Sequence, residues 1–268
     1  MDLLLNNPIF QALAAGLFTW LCTMFGSAFV FLFKEVNERF LAIMQGFAAG
    51  VMIAASFWSL LAPALEYAEA NSNNAPSWLP VAIGFLVGGI FLRFLDYVVP
   101  HTHLSEDHGD SKNRSISKTM MLFLAVTIHN IPEGLAVGVA FAAASVGNEG
   151  GTLAGAIALT IGIGLQNVPE GSALSLPLFA DGKTKRKAFQ MGQLSAIVEP
   201  VAAVIGAAAV LVVQEILPYA LSFAAGAMIF VVVEELIPES QSSDHTDDAT
   251  LALLFGFVLM MILDVALG

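Results

Sequence analysis

Residues 119–143 read TMMLFLAVTIHNIPEGLAVGVAFAA, and residues 152–179 read TLAGAIALTIGIGLQNVPEGSALSLPLF. Each block is long and apolar enough for a helix to cross a bilayer, which takes roughly 20 residues. Yet each carries a carboxylate, a proline and one or two amides at its centre. Such groups are costly in hydrocarbon and are tolerated where they face other helices or a watery cavity. The pair therefore predicts a helical membrane bundle around a polar middle.

The same apolar texture runs through the rest of the chain. Of 268 residues 57% are hydrophobic and 12% charged, with a mean hydropathy of +0.79. A soluble domain carries about 25% charged residues, so this surface cannot all face water. The blocks are continuously apolar, not alternating, which excludes a transmembrane barrel. The expected fold is an all-α integral membrane protein forming a single transmembrane domain over 1–268. Eight spans are expected, at about 8–33, 41–65, 79–99, 119–143, 152–179, 188–213, 217–238 and 249–267. No cleavable signal peptide is expected, because the N-terminal apolar stretch lacks a basic leader and is long enough to remain as a span. Cys22 is the sole cysteine, which rules out an intrachain disulfide and leaves little thiolate for metal chemistry.

Orientation follows from the basic residues. Lys34 and Arg39 lie in the first loop, and Arg93 near the end of the third span. Lys112, Arg114 and Lys118 fall in the loop at 100–118, and Lys183, Lys185, Arg186 and Lys187 between the fifth and sixth spans. With eight spans, all ten Lys and Arg fall on one side. The positive-inside rule makes that side cytoplasmic and puts both termini outside. The acidic stretch Glu239 to Asp248 then faces the cytoplasm too. The net charge of −12 reads first as solvated loops. No nucleic-acid partner is expected.

The chemistry lies at mid-membrane. His129-Asn130-Ile131-Pro132-Glu133-Gly134 is matched by Gln166-Asn167-Val168-Pro169-Glu170-Gly171 on the next span. Those spans are antiparallel neighbours, so the motifs meet at one depth with opposite polarity, in the manner of an inverted repeat with a midplane site. His129 and Glu133 are four residues apart and share a helix face, as do Gln166 and Glu170. Each intervening proline removes a backbone bond and frees the carbonyl of Ile128 or Leu165 beside those side chains. The sixth span adds Glu199-Pro200 at mid-depth. The expected cluster is His129, Asn130, Glu133, Gln166, Asn167, Glu170 and Glu199. Carboxylates so close repel unless a cation or protons compensate. Imidazole, carboxylate and amide oxygens together suit zinc or a similar first-row divalent ion.

HNIPEG followed by QNVPEG, with Glu-Pro in the next span, resembles the ZIP family of divalent-metal transporters, particularly its GufA-like bacterial branch. The resemblance covers nearly the whole chain and includes the eight-span layout, the long third loop and the outward termini. It implies zinc uptake toward the cytoplasm in a bacterial plasma membrane, often with tolerance for cadmium, iron or manganese. It implies a transport site from His129, Glu133, Gln166 and Glu170, and a second metal position from Asn130, Glu133, Glu170 and Glu199 with both glutamates bridging. Some members carry Asp where this chain has Asn167, and the amide removes one charge there. In the family the second span lines the pathway. Met52, Ser56 and Ser59 form one stripe on it, Glu66 resembles an entrance carboxylate, and Asp264 on the last span is a similar candidate. His101, His103 and His108 lie among acids in the cytoplasmic loop and suit weak capture of imported metal. Glu234 and Glu235, toward the inner half of the seventh span, are candidates for the exit. Small-residue faces would allow a homodimer.

Two other classes were weighed. An intramembrane zinc hydrolase lacks its HExxH spacing, since Glu133 follows His129 by four residues rather than one. A proton- or sodium-driven carrier of an organic solute lacks a midplane Lys or Arg to hold an anionic substrate. No enzymatic activity is expected.

Overall fold

Helix starts are set by polar residues that cap otherwise unpaired backbone N–H groups. In the computed structural model, which describes residues 7–33, 37–71, 76–98, 118–146 and 152–267, Asn7 accepts from the Ile9 amide at 2.9 Å, just before Pro8 opens the first helix. Asn37, Thr152 and Thr184 cap in the same way. The elements, in chain order, are α1 (Pro8–Ser27), α2 (Glu38–Ala55), α3 (Ala62–Ala70), α4 (Trp78–Val98), α5 (Lys118–Ser145), α6 (Leu153–Ala180), α7 (Lys185–Ser195), α8 (Val198–Val212), α9 (Leu217–Val231), α10 (Ile237–Ser240) and α11 (Thr246–Leu267). A π turn at Ser56–Leu61 joins α2 to α3, and another at Val232–Leu236 joins α9 to α10. Among the described residues there is no strand.

Among the described residues, seven helical stretches are long and apolar enough to cross a membrane. The helix α6 is longer than most, at 28 residues, or about 42 Å. Its Gln166, Asn167, Pro169 and Glu170 dilute its apolar content, so length and composition do not mark it as the expected eighth crossing.

Two sets of helices pack separately and then meet. In one, α2 lies along α11 and α4 along α9; in the other, α1 lies along α6 and α8, and α5 along α8. The sets touch where α2 crosses α6 and α9 crosses α5. Small residues permit close backbone approach, the usual device where lipid offers no hydrophobic drive between helices. A Cβ on Gly50 would sit 1.9 Å from the Leu253 carbonyl oxygen, and one on Gly88 would sit 2.0 Å from that of Phe223. Lys185 ties the start of α7 to the end of the first helix. Its Nζ donates to the Phe33 carbonyl at 2.7 Å and lies 5.2 Å from the Phe179 ring centre.

The span expected at 188–213 is not one helix. It breaks at Ala196–Ile197, so that Glu199 falls in the first turn of α8 rather than within a continuous rod. Two physical preferences favour this arrangement. A helix N-terminus favours a carboxylate, and proline is tolerated in a first turn where no N–H bond is lost.

Candidate metal site

The two motifs face each other across α5 and α6. His129 is 8% exposed, Glu133 and Gln166 are each 1%, and Asn130, Asn167 and Glu199 are 0%, while Glu170 is half-buried. Glycine sets the spacing around them. A Cβ on Gly134 would lie 2.5 Å from the Glu199 carbonyl oxygen, and one on Gly171 would lie 2.2 Å from that of Thr23. The motif glycines thereby let α8 and α1 close on the site.

The amide nitrogens spend their hydrogens on neighbouring oxygens. Gln166 Nε2 donates to Glu133 Oε1 at 2.8 Å. Asn130 Nδ2 donates to the Val126 carbonyl at 3.0 Å. Asn167 Nδ2 donates to both oxygens of Glu199 at 3.0 Å and to the Thr19 carbonyl at 3.1 Å. Nε2 of His129 lies 3.1 Å from Oε1 of Glu235. Four acceptors remain buried without a donor: Asn130 Oδ1, Glu133 Oε2, Gln166 Oε1 and Asn167 Oδ1. An unpaired buried acceptor costs about 1–3 kcal/mol. No Lys or Arg is buried among the described residues. A cation supplied from outside fits this donor set.

Glu133 lies near enough to Glu170 and Glu199 for their charges to interact, and His129 near enough to Glu170 and Glu235. Among the described residues, no three His, Cys, Asp or Glu side chains form a metal cage on their own. Amides supply several of the donors here, and an ion would have to draw Glu133, Glu170 and His129 together.

Two cavities flank this layer. The smaller one, about 40 Å³, is lined by Met52, His129, Glu133, Gln166, Glu170 and Glu239 among others. The other, about 290 Å³, is lined by Ser59, Glu66, Asp264, Ala140, Ala156 and Leu221 among others. Ser59 donates to Asp264 Oδ1, while Asp264 Oδ2 is buried and unpartnered. Along the helices lining both cavities, the intervening residues Val137, Leu159, Ile163 and Met228 are all 0% exposed. An apolar plug thus divides the two. From Glu133 to Ala140 along α5 is about 10 Å.

The structure thus gathers the motif residues, puts Met52 with them, and gathers Ser59, Glu66 and Asp264 at the second cavity. His101, His103 and His108 lie outside the described residues. Glu235, expected as an exit candidate, is in contact with His129, while Gln45 and Glu239, which accepts from Gln45, were not among the expected site residues. A signal joining Glu235 and Glu239 was present. Glu235-Leu-Ile-Pro238-Glu239 repeats the spacing of His129-Asn-Ile-Pro132-Glu133 and Gln166-Asn-Val-Pro169-Glu170. Thr19 and Thr23, four apart and both buried, were likewise legible as a polar stripe in the first span.

A bundle of apolar helices enclosing carboxylates, amides and an imidazole defines a membrane protein built to handle cations. A family model described as ZIP zinc transporter matches residues 99–264. The chain is 40% identical to "Zinc transporter ZIP11" of Xenopus tropicalis over 98% of each chain. It is 39% identical to the Homo sapiens protein of that name, over 98% of this chain and 99% of the other. It is 37% identical to "Zinc transporter GufA" of Myxococcus xanthus, over 96% of this chain and 98% of that one. The chain belongs to the ZIP zinc transporter family.

Proposed function

We propose that this protein carries a divalent metal ion, above all zinc, across a membrane toward the cytoplasm, holding it between His129, Glu133, Gln166 and Glu170. The observation that carries this reading is the set of buried acceptor oxygens without donors, Asn130 Oδ1, Glu133 Oε2 and Gln166 Oε1, in the layer that holds His129 and Glu170. Cadmium, iron(II) and manganese(II) are acceptable alternatives by ligand chemistry. The relatives named above are zinc transporters and not enzymes.

The proposed route begins in the larger cavity, where Glu66 and Asp264 attract a hydrated cation. The ion exchanges water for the ligands at the motif layer once the plug of Val137, Leu159, Ile163 and Met228 parts, through movement of one helix set against the other. It leaves past Glu235 and Glu239. In this reading α6 is the eighth crossing, both termini face outward, and residues 100–118, with His101, His103 and His108, are cytoplasmic. The setting proposed is a bacterial plasma membrane, with one chain or a homodimer as the transporting unit.

The test is zinc flux into liposomes holding the purified protein, read by an internal zinc-sensitive dye beside a Glu133→Ala/Glu170→Ala variant. Flux in the parent that the variant lacks is the expected result. Equal flux in both would overturn the site, and no flux in either would overturn transport.

A further inference from the structure

Seven residues were expected to form one metal cluster, and their side-chain hydrogen bonds are not alike. Asn167 carries one side-chain nitrogen with two hydrogens. It has three acceptors: both Glu199 oxygens at 3.0 Å and the Thr19 carbonyl at 3.1 Å. The Thr19 carbonyl can only accept, which by itself fixes the amide with its nitrogen on the side of Thr19 and Glu199. Thr23 Oγ1 adds a contact to Glu199 Oε1 at 3.5 Å. Both oxygens of Glu199 are therefore engaged, and neither is among the unpartnered atoms. Glu133 differs, for one of its oxygens is bonded to Gln166 and the other is free.

We infer that Asn167 clamps Glu199 against α1 and holds it out of the coordination sphere, so that this chain binds one divalent ion at its midplane rather than two. This rests on the metal-carrying role proposed above. The clamp is a brace across three helices, α6 to α8 and α1, and Glu199 is a positioning residue. To reach a second ion, Glu199 would have to swing away from α1 and from the Asn167 amide that faces both its oxygens, and a buried N–H group left without an acceptor costs about 1–3 kcal/mol.

Charge counting gives the same answer independently. Glu133 and Glu170 carry two negative charges, which one divalent ion neutralises. A second ion would bring two further positive charges against Glu199 alone, in surroundings where uncompensated charge is heavily penalised. An aspartate at position 167 would reverse both points. It has no hydrogens for the Glu199 oxygens when ionised, and it adds a charge beside them.

The test counts zinc bound per chain in the purified, detergent-solubilised protein, by equilibrium dialysis followed by elemental analysis. In a His101→Ala/His103→Ala/His108→Ala background, which removes the loop histidines from the count, the parent is expected to saturate at one zinc per chain, lost in the Glu133→Ala/Glu170→Ala variant. Asn167→Asp is expected to take up a second. Glu199→Gln, which keeps oxygen for the amide to bond, is expected still to hold one, whereas loss of a true ligand would weaken binding by about 100-fold or more. Two zinc ions in the parent, or none in Glu199→Gln that still folds by circular dichroism, would overturn the clamp while leaving metal transport standing. No zinc in a folded parent would overturn the transport reading itself. If either substituted chain fails to fold, the parent count alone decides.

Discussion

Glu133 and Gln166 show how a single atom's bonding decides a side chain's role. Each gives one atom to the other at 2.8 Å and keeps one oxygen buried and unpaired. Glu133→Gln preserves shape and the capacity to bond Gln166, but removes the charge that balances a cation. Its zinc affinity is expected to fall by more than about 100-fold, measured by titration with a competing chelating dye. Retained affinity would mean that shape rather than charge holds the ion. His129 stands apart, because its Nε2 lies against Glu235 and an ion must take it away from that partner. His129→Ala is expected to slow transport and shift zinc-over-manganese preference, measured by competition flux, without abolishing uptake. At this scale the sequence was most legible. Four-residue spacing puts His129 with Glu133 and Gln166 with Glu170 on common faces, as helical geometry requires. It could not say which carboxylate oxygens are already bonded, since Glu199 meets Asn167 and Thr23 only through packing across 32 and 176 residues of sequence.

Between whole helices, the deciding quantity is how closely two backbones approach. Gly134 brings α5 against the first turn of α8, where an added Cβ would meet the Glu199 carbonyl oxygen at 2.5 Å and the Ala202 Cβ at 2.8 Å. Gly89 offers a contrast, its nearest neighbour being 3.8 Å away. Gly134→Ala is expected to destabilise by about 1–3 kcal/mol, the usual range for overpacking, and to cut flux by displacing Glu199. Gly89→Ala should be near neutral. Thermal unfolding in detergent compares the two, and equal melting points would show that α8 shifts without penalty. Apolar run length made most of the long helices legible because a bilayer forces backbone bonds to close within the segment. The break at Ala196–Ile197 was hidden for the same reason, since a run of apolar residues reads as one rod. The π turn at Val232–Leu236 precedes Glu239, and the pattern E-x-x-P-E gives a weak signal because it sits at a span's end, where acids read as solvated loop.

Across the whole molecule, the arrangement of cavities matters more than any one side chain. The larger cavity ends at Ala140, Ala156 and Leu221, and the smaller begins at Met52, Glu133 and Gln166. The fully buried Val137, Leu159, Ile163 and Met228 lie between. Such a plug leaves a cation nothing to bind, and in the proposed route the ion crosses when the helix sets move and the two cavities open in turn. Arg39, paired with Asp248 at 2.8 Å, and the Lys183–Lys187 turn lie at the end of the bundle nearer Glu239, the end proposed above to face the cytoplasm. In a Cys22→Ser background, Ser59→Cys is therefore expected to react with a membrane-impermeant maleimide added outside intact cells. Glu239→Cys is expected to react only after the membrane is opened. Zinc should slow labelling at position 239, because an ion held at Glu133 and Glu170 occupies the cavity that the thiol lines. The reverse pattern of labelling would invert the orientation. Reaction at both positions from outside, at equal rates and with zinc present, would mean that the plug is no barrier and that the protein conducts as an open pore.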